Sequence, residues 1–378
     1  MDNLFCALGG GSHIGASCYY LQVDGHSFLF DCGVRSTGSS RLPQLSQLTS
    51  EFLDGIWQLD QVILSHAHMD HIGALPYLDA GRDLSILCNP VTQTLTELQL
   101  RDFDPLPQRL SSSRQRQLYE AKKERVLSMI HPIGFRTSYE TDDYKVTLFP
   151  AGHMPGAAMT YIETSKHRIL YTGDFSGQKE LLCGGYYWPQ ELPVDVLIIE
   201  GTHAYTKDAW QQGYWNIERC LVHQLQLGQT VTLETTNVTK GIELARYLSS
   251  ALMKSPCWFS GIYLDASMAP IAEAFETAGY QVYTPDIRPL LKPDDLREQA
   301  IVIKKGHQGR SYGAVMNGDA FTLHADCQTL THFINEVQAE TTILVHSEPS
   351  GMANISNGLD IGNKACIQAV DGETYLFT

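Results

Sequence analysis

The 378-residue chain contains 42 acidic and 27 basic side chains, which gives a formal net charge of −15. Hydrophobic residues make up 43% of the sequence, enough for a sizeable core in one large domain or two coupled domains. The charge argues against a protein that holds nucleic acid only by neutralising phosphates, and no run approaches the roughly 20 apolar residues that span a bilayer.

Cysteine usage and the first residues predict a cellular location. The nine cysteines are odd in number and form no Cys-x-x-Cys pair, which favours reduced thiols over a disulfide framework. Residues 1–5 show no basic stretch of the kind that opens a signal peptide. We therefore expect a cytoplasmic protein that does not associate with membranes.

The densest group of chemically active side chains lies between Leu64 and Pro76. This segment places four metal-binding side chains within six residues: His66, His68, Asp70 and His71. Residues 61–65 form a short β-branched and apolar run, typical of a buried strand, so the group follows a strand end. Zinc favours imidazole nitrogen and carboxylate oxygen, and two ions roughly 3.5–4 Å apart form a dinuclear hydrolytic centre. The segment therefore predicts a catalytic metal site.

Residues 101–136 are more basic than the rest of the chain. Eight basic side chains stand against four acidic ones, a net charge of 8 − 4 = +4: Arg101, Arg109, Arg114, Arg116, Lys122, Lys123, Arg125 and Arg136 against Asp102, Asp104, Glu120 and Glu124. Tyr119, Val126 and Ile130 lie at helical spacing and predict an amphipathic helix with a basic face. We interpret this face as solvated surface rather than a nucleic-acid track, because basic helix faces are common.

Three other predicted apolar strands are followed within a few residues by groups that can bind a metal or orient a ligand. These groups are Asp31, His153 and Asp174. In the C-terminal half, Glu200, His324 and His346 close further apolar runs. Taken singly, each of these three has a plain reading as a cap, a core histidine or a turn residue. Their order after a complete metal motif favours one shared site.

The stretch between the two halves is predicted as an α/β unit. Strands near residues 229–233, 261–265, 281–283 and 300–303 alternate with helices over 240–250 and 270–278, which indicates parallel pairing. The proline-containing residues 286–293 are predicted as a loop. The chain thus divides into residues 1–203 with 311–378, and an inserted unit of residues 204–310.

The N-terminal half resembles the metallo-β-lactamase fold superfamily. Residues 66–71 match its HxHxDH motif, His153 its third-motif histidine, Asp174 its bridging aspartate and Asp31 its first-motif aspartate. Asp31 is then a residue that orients the ligands rather than binding metal itself.

The C-terminal half is similar to the β-CASP nucleases, the group that contains ribonuclease J, the pre-mRNA 3′-end processing endonuclease and the Artemis-like DNA-repair nucleases. Glu200 matches motif A, His324 with Asp326 motif B, and His346 motif C, which is histidine in RNA-directed members and usually valine in DNA-directed ones. The resemblance implies an α/β fold: a metallo-β-lactamase αββα sandwich, residues 1–203 and 311–378, with a β-CASP cassette inserted at 204–310.

The resemblance also implies the cofactor and the role of each residue. It implies two zinc ions, with manganese as an alternative metal. One ion would be held by His66, His68 and His153 and the other by Asp70, His71 and His346, with Asp174 between them. The implied catalytic residues are Asp70, His324 as general acid and Glu200 as the group that orients it. Lys240 occupies the place of a family arginine and is predicted to contact a substrate phosphate as a point charge.

These residues predict a zinc-dependent phosphodiesterase or nuclease of the β-CASP type that hydrolyses RNA. The acidic charge and the altered cassette leave two alternatives: a DNA nuclease or small-nucleotide phosphodiesterase with the same metals, and a non-catalytic scaffold subunit. The expected partner is nucleic acid, RNA rather than DNA. The sequence leaves open whether the chain works as a homodimer or within a protein complex.

Overall fold

A computed structural model describes residues 2–36, 41–79, 81–101, 112–179, 181–206, 209–253, 258–306, 310–356, 358–359 and 364–378. The first of its three sheets has seven strands. In spatial order they are β19 (Thr374–Phe377), β1 (Asn3–Gly9), β2 (Cys18–Val23), β3 (His26–Phe30), β4 (Gln61–Ile63), β5 (Ile86–Cys88) and β6 (Ile130–Pro132). From β3 to β6 the strands are parallel, and the others are antiparallel.

The second sheet also has seven strands. Their order is β18 (Ala365–Gln368), β17 (Thr341–Val345), β11 (Val196–Glu200), β10 (Arg168–Tyr171), β9 (Ala158–Glu163), β8 (Lys145–Pro150) and β7 (Ser138–Glu140). From β18 to β10 the strands are parallel, so the carboxyl ends of β17, β11 and β10 lie at one edge.

The two seven-stranded sheets pack face to face because their strands are apolar on both faces. In β1, Phe5 and Ala7 join the cluster between the sheets, together with Val146 of β8 and Ile198 of β11. Cys6 faces the other way and packs into the core on the outer side of the sheet. This period of two is that of a strand covered on both faces.

The third sheet has five strands, all parallel. They are ordered β14 (Ile287–Leu290), β13 (Ile262–Asp265), β15 (Ile301–Lys305), β12 (Val231–Thr235) and β16 (Ala314–Asn317). The alternation of strands and helices therefore gave the correct pairing. The sheet extends past the predicted cassette end at residue 310, because β16 pairs with β12. The division of the chain into two domains remains a prediction.

Helices connect and cover the sheets. They are α1 (Leu45–Gln47), α2 (Met69–Ile72), α3 (Pro90–Arg101), α4 (Ser113–Ser128), α5 (Ala209–Gln226), α6 (Val238–Leu252), α7 (Ala269–Thr277), α8 (Cys327–Val337) and α9 (Gly351–Ser356). Within the described part of the chain, no helix combines the length and hydropathy that crossing a membrane requires.

Helix α6 ties the third sheet to the sandwich. Its Glu243 is buried, and the two carboxylate oxygens accept the backbone N–H groups of Leu181 at 2.7 Å and Leu182 at 2.9 Å. These two residues belong to the loop between β10 and β11. Hydrogen bonds to a charged acceptor are stronger than neutral ones, so this contact fixes α6 against the loop.

Two secondary-structure predictions in the cassette are wrong. Residues 281–283 form no strand, because the backbone N–H groups of Val282 and Tyr283 donate to the carboxylate of Glu276 at the end of α7. The predicted loop at 286–293 instead contains β14. Its Pro289 is tolerated because β14 lies at the edge of the sheet and pairs with β13 alone.

The predicted basic helix is present but shorter and less basic on its surface than expected. Helix α4 begins at a capping box formed by Ser112 and Gln115 and ends at Ser128, so Ile130 belongs to β6. Lys123 is only 3% exposed and pairs with Glu120 at 2.6 Å. Arg109, Asp102 and Asp104 lie outside the described residues.

Candidate metal centre

The first group of predicted ligands converges at the strand ends between the two seven-stranded sheets. His68 Nδ1 lies 3.1 Å from His66 Nε2 and 3.1 Å from His153 Nε2, and Asp174 Oδ2 lies 3.6 Å from His66 Nε2. In a tetrahedral zinc site with bonds of about 2.0–2.1 Å, ligand atoms are about 3.4 Å apart. The four side chains therefore have the spacing of ligands around one ion.

The second group lies beside the first and shares Asp174 with it. Asp70, His71 and His346 bring ligand atoms within 4.8 Å of one another. Asp174 Oδ2 is 3.4 Å from His71 Nε2, and Asp70 Oδ2 is 3.5 Å from His346 Nε2. Asp174 thus stands between the two groups, as a bridging carboxylate would.

The buried polar atoms of the two groups fit a bound cation. Within the two groups, Asp174 Oδ1 is buried without a hydrogen bond, although His346 Nδ1 lies 3.3 Å from it. Burial lowers the pKa of His66 and His153 well below its usual range, and that of His68 to about 4. The first group therefore offers neutral imidazoles, the form that binds metal.

The carboxylates in and around the second group favour a positive charge nearby. Burial acts to lower the pKa of His71 and His346, but neighbouring carboxylates outweigh it. Asp174 and Asp31 raise the pKa of His71 well above its ordinary value, and Asp174 with Asp70 raises that of His346 to about 10. The carboxylates thus favour positive charge at this position, a stabilisation that divalent cations also supply.

Asp31 orients the ligands from the end of β3. Its fully buried carboxylate accepts hydrogen bonds from Ser65 N and Ser65 Oγ, both at 2.7 Å, and from Tyr171 Oη at 2.6 Å. It also contacts His71 Nδ1 at 2.8 Å, which leaves Nε2 of His71 facing Asp174. The backbone of Asp31 is left-handed, with φ = 57°, a conformation unusual for a residue with a side chain.

We predict that Asp31→Ala weakens metal binding without removing any ligand. The loss of the partner of His71 is expected to lower metal affinity about 10- to 100-fold, measured by competition with a chromophoric chelator. Tyr171→Phe is the matched control, because it deletes one hydrogen bond to Asp31 and keeps the carboxylate. An unchanged affinity in the alanine variant would contradict the orienting role.

Sequence reasoning missed the groups that hold His346. Its backbone has φ = 49°, and its N–H donates to Gly10 O at 2.6 Å. Gly15 N donates to His346 Nε2 at 3.0 Å, and Thr202 Oγ1 lies 2.9 Å from Nδ1. The glycine run after β1 was the available signal, since it lets the backbone approach the imidazole closely.

The predicted acid and its orienting carboxylate form a pair next to Asp174. Glu200, 1% exposed, ends β11, and its oxygens lie 3.1 and 3.2 Å from His324 Nδ1. Asp326, two residues after His324, caps α8 by accepting the N–H of Thr329. This cap fixes the loop that carries His324. Burial acts to lower the pKa of His324, but Glu200 and Asp174 outweigh it and raise that pKa.

The structure does not bring Lys240 to the ligands. Lys240 Nζ lies 3.5 Å from Asp319 Oδ1 and 5.3 Å from the centre of the Phe321 ring. Burial lowers the pKa of its ammonium group, which Asp319 partly offsets. Its charge nevertheless acts on His203, the residue that packs on His324.

Comparison with known proteins places this site in a family. The Metallo-beta-lactamase superfamily profile matches residues 13–212, more than half of the chain. The chain therefore belongs to the metallo-β-lactamase superfamily, as the motifs at its strand ends predicted.

Curated relatives carry the similarity further along the chain. "Cleavage and polyadenylation specificity factor subunit 3" of Dictyostelium discoideum is 34% identical over 200 residues, 52% of this chain and 25% of that protein. "Integrator complex subunit 11" of Danio rerio is 23% identical and spans 97% of this chain and 73% of the relative. "Transcription termination factor FttA" of Methanothermobacter thermautotrophicus is 30% identical over 80% of this chain and 46% of its own length.

These matches confirm the predicted resemblance to the β-CASP branch of the superfamily. The chain spans only about a quarter of the first of these relatives. A solved structure, "Crystal Structure of a Protein of Unknown Function from Enterococcus faecalis V583", covers all of both chains with a TM-score of 0.61 at 15% identity. That likeness supports the α/β fold alone.

Proposed function

We propose that the protein is a zinc-dependent phosphodiesterase of the β-CASP type that hydrolyses RNA. The observation that carries the proposal is the joint position of Asp174. It lies within 3.6 Å of His66 and 3.4 Å of His71, and 3.8 Å from His324 of the acid pair. Two ligand groups and a proton donor thus surround one point, the arrangement that phosphodiester hydrolysis requires.

Each residue has a role in this proposal. His66, His68 and His153 would hold one ion, Asp70, His71 and His346 the other, and Asp174 would contact both. When bound, two divalent cations would lower the pKa of a water molecule and neutralise charge on the phosphate. His324 donates a proton to the leaving oxygen as the phosphorus–oxygen bond breaks, and Glu200 holds the imidazole at Nδ1 so that Nε2 faces the substrate.

Two observations favour RNA over DNA. His346 stands at the motif position that is usually valine in DNA-directed members, and it is part of the second ligand group. "Endoribonuclease ysh1" of Aspergillus fumigatus is 30% identical over 52% of this chain. By analogy with relatives named as subunits of larger complexes, we further propose that the chain works with protein partners, in the cytoplasm, as its reduced cysteines predict.

One experiment separates this proposal from its alternatives. Purified protein is incubated with labelled single-stranded RNA, single-stranded DNA and a small cyclic or linear dinucleotide, with and without chelator, and reloaded with zinc or manganese. We expect chelator-sensitive cleavage of RNA that zinc restores. Cleavage of DNA or of the dinucleotide alone would support the DNA-nuclease or small-nucleotide alternative. No cleavage of any substrate would support the scaffold alternative.

The acid pair predicts a pH dependence. His324 must be protonated to act, so turnover is present below its pKa and is lost as pH rises through that value. Glu200 raises this pKa, so Glu200→Gln is expected to move the alkaline limb of the kcat profile to lower pH. Glu336→Gln is the matched control, because Glu336 faces the exposed His332 at 3.8 Å. An alkaline limb that does not move would contradict the pairing.

A further inference from the structure

A row of aromatic rings runs from the metal ligands to the protein surface. The ring centres of His153 and His324 are 4.5 Å apart, those of His324 and His203 are 5.5 Å apart, and those of His203 and Tyr205 are 5.7 Å apart. Exposure rises along the row, from 2% at His153 to 56% at Tyr205. The row therefore begins inside the site and ends in solvent.

His203 is the third residue after Glu200, and its ring lies beside that of His324. The backbone of His203 forms an isolated parallel bridge with Asp326, which aligns the two segments. Among the described residues, His203 Nδ1 is buried and has no hydrogen-bond partner. An unpaired buried nitrogen is costly in a folded protein unless a ligand satisfies it.

The surroundings of this row suit a nucleotide. Tyr205 presents an exposed ring at its outer end. Unpaired bases stack on such rings. The row lies beyond His324, on the side away from the ligands, and His324 is the proton donor to the leaving oxygen. The nucleotide that bears this oxygen must therefore lie along the row.

We propose that His203 and Tyr205 form a subsite for the nucleotide that carries the leaving oxygen. Tyr205 stacks on its base, and His203 Nδ1 forms a hydrogen bond with it. The subsite rests on the proposed nuclease function and narrows its substrate to single strands, because a paired base cannot turn out onto a ring.

The test compares an intact single strand with one that lacks a single base. The cleaved phosphate is first mapped with the metal-loaded wild-type protein, and the base of the nucleotide bearing the leaving oxygen is then removed. We expect the KM of the wild-type protein to rise about tenfold for the abasic strand, the size of one stacking contact. Tyr205→Ala and Tyr205→Leu should show the raised KM for both strands, whereas Tyr205→Phe should behave as the wild type.

A second readout does not depend on turnover. In the metal-loaded His324→Ala variant, a strand with 2-aminopurine at the same position should lose fluorescence on binding because the base stacks. Adding Tyr205→Ala should abolish that quenching, and adding His203→Ala should weaken binding of the strand. Trp57→Ala is the matched control: Trp57 is 46% exposed and precedes β4, at the end opposite the ligands.

The outcomes separate this inference from the proposed function. If the wild-type protein cleaves no strand in a chelator-sensitive manner, the nuclease proposal fails. If it cleaves, but Tyr205→Ala retains both the preference for the intact strand and the quenching, the subsite alone is overturned.

Discussion

Asp174→Asn should strongly reduce both metal binding and turnover. Asp174 contacts both ligand groups and is 2% exposed, so no water can take its place without rearrangement. Its replacement removes the negative charge that both groups share. We expect metal content, measured by elemental analysis after gel filtration, to fall below one ion per chain. kcat/KM for the cleaved strand should fall by at least about 10³-fold, because the cations supply several kcal/mol of transition-state stabilisation.

The matched control for this variant is Asp195→Asn. Asp195 precedes β11 and accepts the N–H of Arg168 at 2.6 Å, at the opposite end of the same pair of strands. It should retain metal and activity. Full metal content in Asp174→Asn would show that the carboxylate is not a ligand.

His324→Ala should strongly reduce turnover and leave the metal content unchanged. The nearest hydrogen-bond partner of His324 is Glu200, which belongs to neither ligand group, and the His324 side chain is 19% exposed. Loss of a general acid typically lowers kcat about 10²- to 10⁴-fold. Metal content should stay near that of the wild type.

His332→Ala provides the control, because this histidine is 75% exposed on α8. Loss of metal in His324→Ala would make His324 a ligand. The measurement is needed because Asp174, Glu200 and His324 also lie close enough together to hold an ion.

The convergence of the predicted ligands could be foreseen from the sequence because its signals are local. His66 to His71 fall within six residues, and Asp31, His153, Asp174 and His346 each follow a run that is recognisably a buried strand. Parallel strands bring their carboxyl ends to one edge of a sheet, so strand ends that are distant along the chain meet in space.

What could not be predicted depends on contacts between distant segments. The pairing of Lys240 with Asp319, which lies 79 residues further on, has no local signal in the sequence, and the contact of Lys240 with a phosphate remains a prediction. Val282 and Tyr283 have high strand propensity, but the carboxylate of Glu276 binds their N–H groups instead. His346 is held by the backbone N–H of Gly15, which donates to Nε2, and by a hydrogen bond between Nδ1 and the hydroxyl of Thr202; no side-chain motif reveals these contacts.

The buried carboxylate of Glu243 limits how far α6 can move relative to the sandwich. Moving α6 away from the loop at Leu181 and Leu182 would remove both of these backbone donors from the charge at once, a loss of the kind that costs several kcal/mol. We therefore expect α6 and this loop to move together, with the Glu243 contact as the fixed point between them.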